Sequence, residues 1–422
     1  MRGMRKTILA TYLLILFLYF GLIALSYADD AEVLPKGVFN INVENKYYFP
    51  ITERFNHEGN DENVATDFNE TLGSNVFPDF SIIEQAFGLP AGSGNIGKSV
   101  VSFRYEFDIL DNLIAYGITD RLTAGIRIPY WWSKNKVNAQ LDATTATLGK
   151  NPFFGTSSDP FGGSPLIPIS FGGIRLNTED VQAILGKGLF INGKLAIPGF
   201  GYKRFKTWSD NGVGDIEAGV KYQYLKTANW RLAFTGGVRF PTGKIDDPDN
   251  LVDYGIGSGA YALLFRLHND YMGIKNLILD LSIKYDLILP DSVTLRITDI
   301  HHPITAQEEG VDRNLGDIVA VEPSMKYEFL EGLSISLLYR YAHTFKDFYH
   351  SGNLGEIQSL ELETDNTEHV FIGGLSYSTL PLYMEKKFPL PLTASLSYRE
   401  RFAGTNNLFE SRYLSFLLQV YF

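Results

Sequence analysis

The last ten residues of the chain, Tyr413 to Phe422, constrain its fold most strongly. Side chains of a β-strand point alternately to its two faces, so every second residue shares a face. One face of this segment is apolar throughout: Leu414, Phe416, Leu418, Val420 and Phe422. The other face is mixed: Tyr413, Ser415, Gln419 and Tyr421. The pattern predicts a strand with one face in an apolar environment, which suits a soluble antiparallel sheet or the wall of a membrane barrel.

The first 28 residues have the pattern of a cleaved signal peptide. Arg2, Arg5 and Lys6 precede an apolar run from Ile8 to Leu25, and Ser26-Tyr27-Ala28 forms a small-x-small cleavage site. An uncleaved membrane anchor is the alternative, because the run approaches the length of a spanning helix. We expect residues 1–28 to be removed and residues 29–422 to be exported.

Beyond residue 28, no window approaches the roughly 20 uninterrupted apolar residues that a membrane-spanning helix requires. A mature chain in a membrane must therefore form a closed barrel, since lipid offers no partners for unpaired strand edges. The 14% of aromatic residues and the 40 glycines agree with strands, turns and interfacial girdles. The absence of cysteine excludes a disulfide scaffold. Without the predicted signal peptide, 34 Lys and Arg face 48 Asp and Glu, a balance that argues against nucleic acid as a partner.

Segments of alternating hydrophobicity recur along the whole chain. We predict an all-β fold, a single antiparallel transmembrane β-barrel of residues 29–422 with about 12 strands, or 14 as the alternative. The expected strands are residues 38–49, 101–119, 122–132, 215–225, 230–240, 258–268, 277–287, 317–329, 333–343, 369–378, 392–402 and 413–422. Short turns alternate with long polar connections, which predicts periplasmic turns, extracellular loops and periplasmic termini.

Two loop insertions, at residues 50–97 and 133–211, are far longer than ordinary connections. One short helix is expected after Asp79, and a second from Glu179 to Leu185 with Thr178 as its N-cap. In the strand after the first insertion, the alternation changes phase near residues 110–112, which predicts a β-bulge.

Three motifs in the middle of the chain carry a family resemblance. They are the turn Tyr116–Leu122 (YGITDRL), the strand start Gly212–Asp215 (GVGD) and the strand end Phe240–Lys244 (FPTGK). Over about residues 100 to 270, the chain resembles the outer-membrane channel family linked to the meta-pathway of phenol degradation. The resemblance implies a porin-like transporter fold. The C-terminal strand also resembles those that the barrel assembly machinery recognises through a terminal Phe, here Phe422.

Charged residues on the faces opposite the apolar ones are the candidates for the pore wall. A charge facing lipid costs about 2–4 kcal/mol at the midplane, so we place these residues in the lumen. The cationic pore-lining candidates are Arg104, Arg127, Lys221, Arg239 and Arg340. Carboxylates are interleaved with them, so either a structural ion-pair network or a selectivity ring explains the pattern.

Catalytic chemistry is not indicated. His350 and Ser351 are adjacent and would point to opposite faces of a strand, unlike the His and Ser of barrel phospholipases. His301 and His302 lie near carboxylates, but in a loop without ligand spacing. We expect no catalytic residue, no metal and no cofactor.

The second insertion contains an apolar stretch, residues 151–173, that is unusual for a loop in water. Its candidate solute-binding residues are Phe153, Phe154, Phe161 and Phe171. The stretch either packs against itself and the barrel rim or folds over the mouth as a constriction or capture site.

These patterns predict a channel in the outer membrane of a Gram-negative bacterium that passes small, hydrophobic or aromatic solutes by diffusion. Its expected partners are outer-membrane lipid, lipopolysaccharide and the solute. A structural or surface-interaction barrel is the alternative, and a hydrolase at the barrel rim is a weaker one.

Replacing Phe422 by Lys should impair barrel assembly far more than replacing Gln419 by Lys, because only Phe422 lies in the apolar register of the last strand. The measurement is the fraction of heat-modifiable protein in the outer membrane. Equal losses in the two variants would contradict this strand phase.

Overall fold

The computed structural model describes residues 30–298 and 304–422. The predicted signal peptide and the His301-His302 pair lie outside these residues, and both interpretations stay predictions. Among the described residues, no helix has the length and apolar character needed to cross a membrane.

Twelve antiparallel strands form one closed ring, in agreement with the predicted count. The strands are β1 (Phe39–Tyr48), β2 (Asn95–Thr119), β3 (Leu122–Asp142), β4 (Ile216–Lys226), β5 (Trp230–Phe240), β6 (Ala262–Ile274), β7 (Leu277–Ile288), β8 (Ile318–Leu330), β9 (Leu333–Thr344), β10 (Asn366–Ser378), β11 (Leu392–Gly404) and β12 (Arg412–Tyr421). Each strand pairs with its sequence neighbour, and β1 closes the ring by pairing with β12 from Asn40↔Tyr421 to Tyr48↔Tyr413.

The predicted alternation matches the two faces of the wall. Outward residues of β1 and β12, such as Ile41 and Phe416, are exposed, whereas the inward Asn40, Ser415 and Gln419 are buried. The exposed outer surface is therefore apolar and the inner surface polar, as the wall of a membrane barrel requires.

Strands β2 and β3 are roughly twice as long as the others and extend beyond the ring on the extracellular side. Their pairing with neighbouring strands is unbroken across residues 108–116, so the bulge predicted near residues 110–112 is wrong. The polarity of the two faces changes instead. In the extension, Phe103, Tyr105 and Phe107 are buried on the inner side, while Arg104 is exposed on the outer side. Above the lipid, the outer face meets water and the inner face meets the loops.

The two insertions form a compact extracellular cap rather than separate loops. Its helices are α1 (Phe80–Ala86) and α2 (Thr178–Leu185), and a third helix, α3 (Leu380–Met384), lies in the β10–β11 turn. Asn177, rather than the predicted Thr178, caps α2, because its side chain accepts from the Asp180 backbone N–H at 3.0 Å.

The remaining elements are short. The strands outside the ring are Glu53–Phe55, Asp61–Asn63, Thr71–Gly73, Leu148–Lys150, Leu166–Pro168, Gly188–Ile191, Lys194–Pro198, Trp208–Val213, Asp291–Arg296, Glu308–Asn314, Phe348–Ser351 and Gly355–Glu356. The 3-10 helices are Thr66–Phe68, Ile169–Phe171 and Gln358–Glu361. Residues of both insertions share one hydrophobic core, in which Phe80 from the first packs with Leu148, Leu166 and Ile184 from the second.

Replacing the outward Ile283 of β7, which is 42% exposed, by Arg should destabilise the folded barrel by about 2–4 kcal/mol. The measurement is denaturant unfolding in lipid vesicles. The control is the same change at Ile82 of α1, which is 65% exposed in the cap. A comparable loss at both positions would contradict a lipid-facing Ile283.

Candidate functional site

A belt of ion pairs lines the lumen from β1 to β5. Lys46 and Arg127 both contact Asp111, each at 2.6 Å. Arg127 also reaches Glu217 at 3.4 Å, and Glu217 contacts Arg239 at 2.8 Å. These residues belong to five consecutive strands, so each pair joins one strand to the next along the wall.

The belt continues from β7 to β11. Lys284 contacts Glu322 at 2.9 Å, and Glu322 contacts Arg340 at 2.7 Å. Glu368 then accepts from Arg340 at 2.9 Å and from Arg401 at 2.8 Å. Each contact again links adjacent strands. The charges are therefore paired along the wall.

The structure brings three of the five predicted cationic residues into this belt: Arg127, Arg239 and Arg340. Lys221 lies nearer the periplasmic end, where its Nζ donates to the Asp30 carbonyl at 2.7 Å. Arg104 is placed elsewhere, on the outer face of the extracellular extension, where it contacts Glu106 at 3.2 Å. Its predicted lumenal position is wrong because the expected change of strand phase does not occur. A selectivity role for the others stays a prediction.

The periplasmic end of the lumen holds the N-terminal segment, residues 30–38. Ala31 is fully buried, and its backbone N–H donates to Asp270 Oδ1 at 3.0 Å. Gln223 Nε2 donates to the Ala31 carbonyl at 2.7 Å, and Arg231 pairs with Glu32 at 3.3 Å. Strands β4, β5 and β6 therefore hold the start of the segment inside the ring.

The segment then crosses to β2 and β3. The Leu34 N–H donates to Thr123 Oγ1 at 2.8 Å, and the Gly37 N–H donates to the Gly117 carbonyl at 2.8 Å. Gly117 has to be glycine here, because a Cβ would lie 2.0 Å from the Pro35 carbonyl oxygen. Sequence analysis missed this plug, since nothing local marks Gln223 or Asp270 as its partners.

The extracellular end carries a cluster of aromatic rings, which we call the mouth cluster: Tyr105, Phe107, Trp131, Tyr254 and Phe409. Tyr254 lies 5.0 Å from Phe107 between ring centroids, and Phe409 lies 4.9 Å from Tyr105. Trp131 packs edge-on against Phe107 at 6.1 Å. Tyr254 belongs to the β5–β6 loop and Phe409 to the β11–β12 loop, so loops from separate parts of the ring meet above the lumen.

The loop that supplies Tyr254 is held partly by an acidic side chain. Asp253 Oδ2 accepts from the Asp247 N–H at 3.1 Å. Burial raises the pKa of Asp253 to about 6, and nearby Asp246 and Asp247 act in the same direction. Ionisation of this carboxyl group therefore opposes the packed position of the loop.

The four predicted phenylalanines lie in the cap and outside the mouth cluster. Phe154 packs against the cap core, while Phe161 and Phe171 lie 6.1 and 6.0 Å from Phe87 between ring centroids. Phe153 and Phe171 are exposed. Leu166 and Ile167 of the same stretch are fully buried, which favours self-packing of the insertion. Solute binding by the four residues stays a prediction.

The enzyme candidates do not come together as a reactive site. Ser351 Oγ donates to Glu309 Oε1 at 2.8 Å, and the neighbouring His350 is paired in register with Asp312 and Glu356. Within residues 30–298 and 304–422, no group of three or more His, Asp or Glu side chains is arranged to hold a metal ion.

Comparisons with known proteins identify the fold. No protein-family model matches the sequence, and a search of curated proteins finds no match. Among solved structures, an outer membrane channel from Pseudomonas putida F1 matches at 12% identity, over 94% of this chain and 100% of that chain, with a TM-score of 0.51.

Two weaker structural matches carry no argument of their own, because their TM-scores are below 0.5. The Ralstonia pickettii toluene transporter TbuX has 10% identity over 92% of this chain and 90% of that chain, with a TM-score of 0.35. A Pseudomonas aeruginosa FadL homologue has 10% identity over the same shares, with a TM-score of 0.32. The match to the Pseudomonas putida channel shows that this protein has the fold of an outer-membrane channel, as predicted. The link to phenol degradation stays a prediction.

The mouth should open less often at pH 5 than at pH 7. Because the pKa of Asp253 is raised from 3.8 to about 6 in the folded loop, the penalty for ionising it grows between about pH 4 and 6 and is complete above about pH 6. The penalty is therefore larger at pH 7 than at pH 5. The measurement is the closed dwell time of single channels in planar bilayers. Asp253→Asn should remove most of this pH dependence, and an unchanged dependence in that variant would contradict the assignment.

Proposed function

We propose that the protein is an outer-membrane channel through which small solutes, including hydrophobic or aromatic ones, cross by diffusion. The observation that supports it most directly is the arrangement of the lumenal charges. In the belt, Lys46, Asp111, Arg127 and Glu217 pair between adjacent strands and stay against the wall. Charges that are paired along the wall do not need to meet across the lumen, which is compatible with a pathway through it.

The two ends of the lumen support a gated pathway. The mouth cluster covers the extracellular side, and residues 30–38 occupy the periplasmic side. The mouth cluster depends on two loop residues, Tyr254 and Phe409, and the periplasmic closure is residues 30–38. Loop and terminal segments move more readily than strands of the ring. In this proposal, solutes pass when these segments shift, while the barrel wall stays fixed.

A structural or surface-interaction barrel is the second candidate. It is favoured by the cap, because two insertions fold around one shared hydrophobic core and present a shaped surface to the outside. The two candidates differ in conductance. A surface-interaction barrel does not need to conduct, whereas a channel must show discrete conductance steps in a planar bilayer.

Removing residues 30–36 should leave the barrel assembled and increase its single-channel conductance, because the segment occupies the periplasmic end of the lumen. The conductance should rise by about twofold or more if the segment is the main constriction. The measurement is planar-bilayer recording together with swelling of proteoliposomes in neutral solutes.

A matched control removes residues 383–388 from the β10–β11 turn, which are exposed and lie at the same end of the barrel. This change should leave conductance unaltered. An assembled protein that shows no conductance steps, with or without residues 30–36, would contradict the channel and favour the structural barrel.

A further inference from the structure

The cap contains an apolar cavity of about 220 Å³ that opens to the outside. Its walls come from the β2 and β3 extension, from α2, from both insertions, and from Leu251 and Ile304 of two further loops. The apolar side chains that line it include Val76, Phe77, Val101, Val181, Leu185 and Phe205. An apolar cavity of about 150 Å³ is large enough to bind benzene, so this cavity has room for a single-ring molecule.

Three polar side chains in its walls, Ser99, Thr178 and Gln182, are bound to the backbone. Ser99 Oγ donates to the Phe68 carbonyl at 2.6 Å. Gln182 makes two bonds to Phe205, donating to its carbonyl at 2.9 Å and accepting from its N–H at 3.0 Å. Thr178 Oγ1 accepts from the Leu141 N–H at 3.1 Å. These bonds hold the walls in place and leave mainly apolar surface for a ligand.

Two carboxyl groups, from Asp67 and Glu70, lie in the cavity lining. Asp67 pairs with Arg54 at 2.7 Å, whereas the Glu70 carboxylate accepts a hydrogen bond from the Asn75 amide at 3.0 Å. Burial and the neighbouring Asp67 raise the pKa of Glu70. An anionic ligand would add a further negative charge, so the cavity favours uncharged molecules over carboxylates of the same size.

Aromatic contacts connect the cavity to the mouth cluster. Phe205 of the cavity wall lies 5.4 Å from Phe68 and 5.6 Å from Phe103 between ring centroids. Phe103 in turn lies 6.2 Å from Tyr105, which belongs to the mouth cluster. A chain of packed aromatic rings therefore joins the cavity wall to the mouth cluster.

We propose that this cavity is a capture site for one uncharged, single-ring-sized apolar solute, which it delivers to the mouth cluster. The proposal deepens the channel function proposed above and rests on it for the delivery step. Binding itself is independent of conduction, so the two claims can fail separately.

The test fills the cavity and measures binding of fluorobenzene by ¹⁹F NMR titration of the detergent-solubilised full chain. Val101→Trp places a large ring in the cavity and should weaken binding by about tenfold or more. Val100→Trp is the matched control, because Val100 directly precedes Val101 in β2, points to the other face and is 50% exposed. It should change binding by less than about twofold.

A second variant keeps the test decisive if Val101→Trp does not yield heat-modifiable protein. Val181→Phe fills the cavity from α2 and should also weaken fluorobenzene binding. Glu70→Gln should strengthen binding of 4-fluorobenzoate relative to fluorobenzene by about threefold. This last result would support the assigned charge preference.

The outcomes separate the capture site from the channel. The capture site would be overturned, even in a protein that conducts, by either of two results. One is unchanged fluorobenzene binding in every folded cavity-filling variant, and the other is no saturable binding to the wild-type protein. If the wild-type protein binds fluorobenzene saturably and these variants abolish the binding, the cavity is confirmed as a ligand site. If that same protein never conducts, the channel and the delivery step are overturned.

Discussion

The closed ring of backbone hydrogen bonds is the interaction on which the rest of this structure depends. A bilayer offers no partners for an unpaired strand edge, so the first and last strands must meet, as β1 and β12 do from Asn40 to Tyr48. Closure fixes the two faces of every strand. Apolar residues then face lipid, and the polar residues that remain have no place except the lumen. The ion-pair belt follows from this, since carboxylates and cations on adjacent strands come into direct contact.

The same alternation produces a different result above the lipid. Along β2 and β3, the inner face becomes apolar and the outer face polar without any change in pairing. Loops can then pack inward on Phe103, Tyr105 and Phe107, which places the cap and the mouth cluster over the lumen. At the other end, residues 30–38 use backbone groups to bind lumenal side chains. The barrel thus holds both of its closures by contacts that the ring positions.

Much of the barrel could be predicted from the sequence, because period-two alternation and the need for closure are local and general constraints. The strand faces at Phe416 and Gln419 and the strand count follow from them. The prediction of a bulge near residues 110–112 was wrong, because alternation does not reveal where lipid ends and water begins. The plug could not be predicted, since Ala31 and Asp270 are 239 residues apart in sequence. The apolar stretch 151–173 stands out in the sequence, but nothing local shows which core receives Leu166.

The central claim is that solutes pass through the lumen by way of the mouth cluster. The chain has no cysteine, so Tyr105→Cys with Phe409→Cys provides a unique pair of thiols in the cluster. The most direct measurement is the single-channel conductance of this variant before and after joining the two thiols with a short, reducible cross-linker. The account predicts that the cross-link suppresses conductance and that a reductant restores it. Conductance that is unaffected by a complete cross-link would show that the pathway does not pass through the mouth cluster.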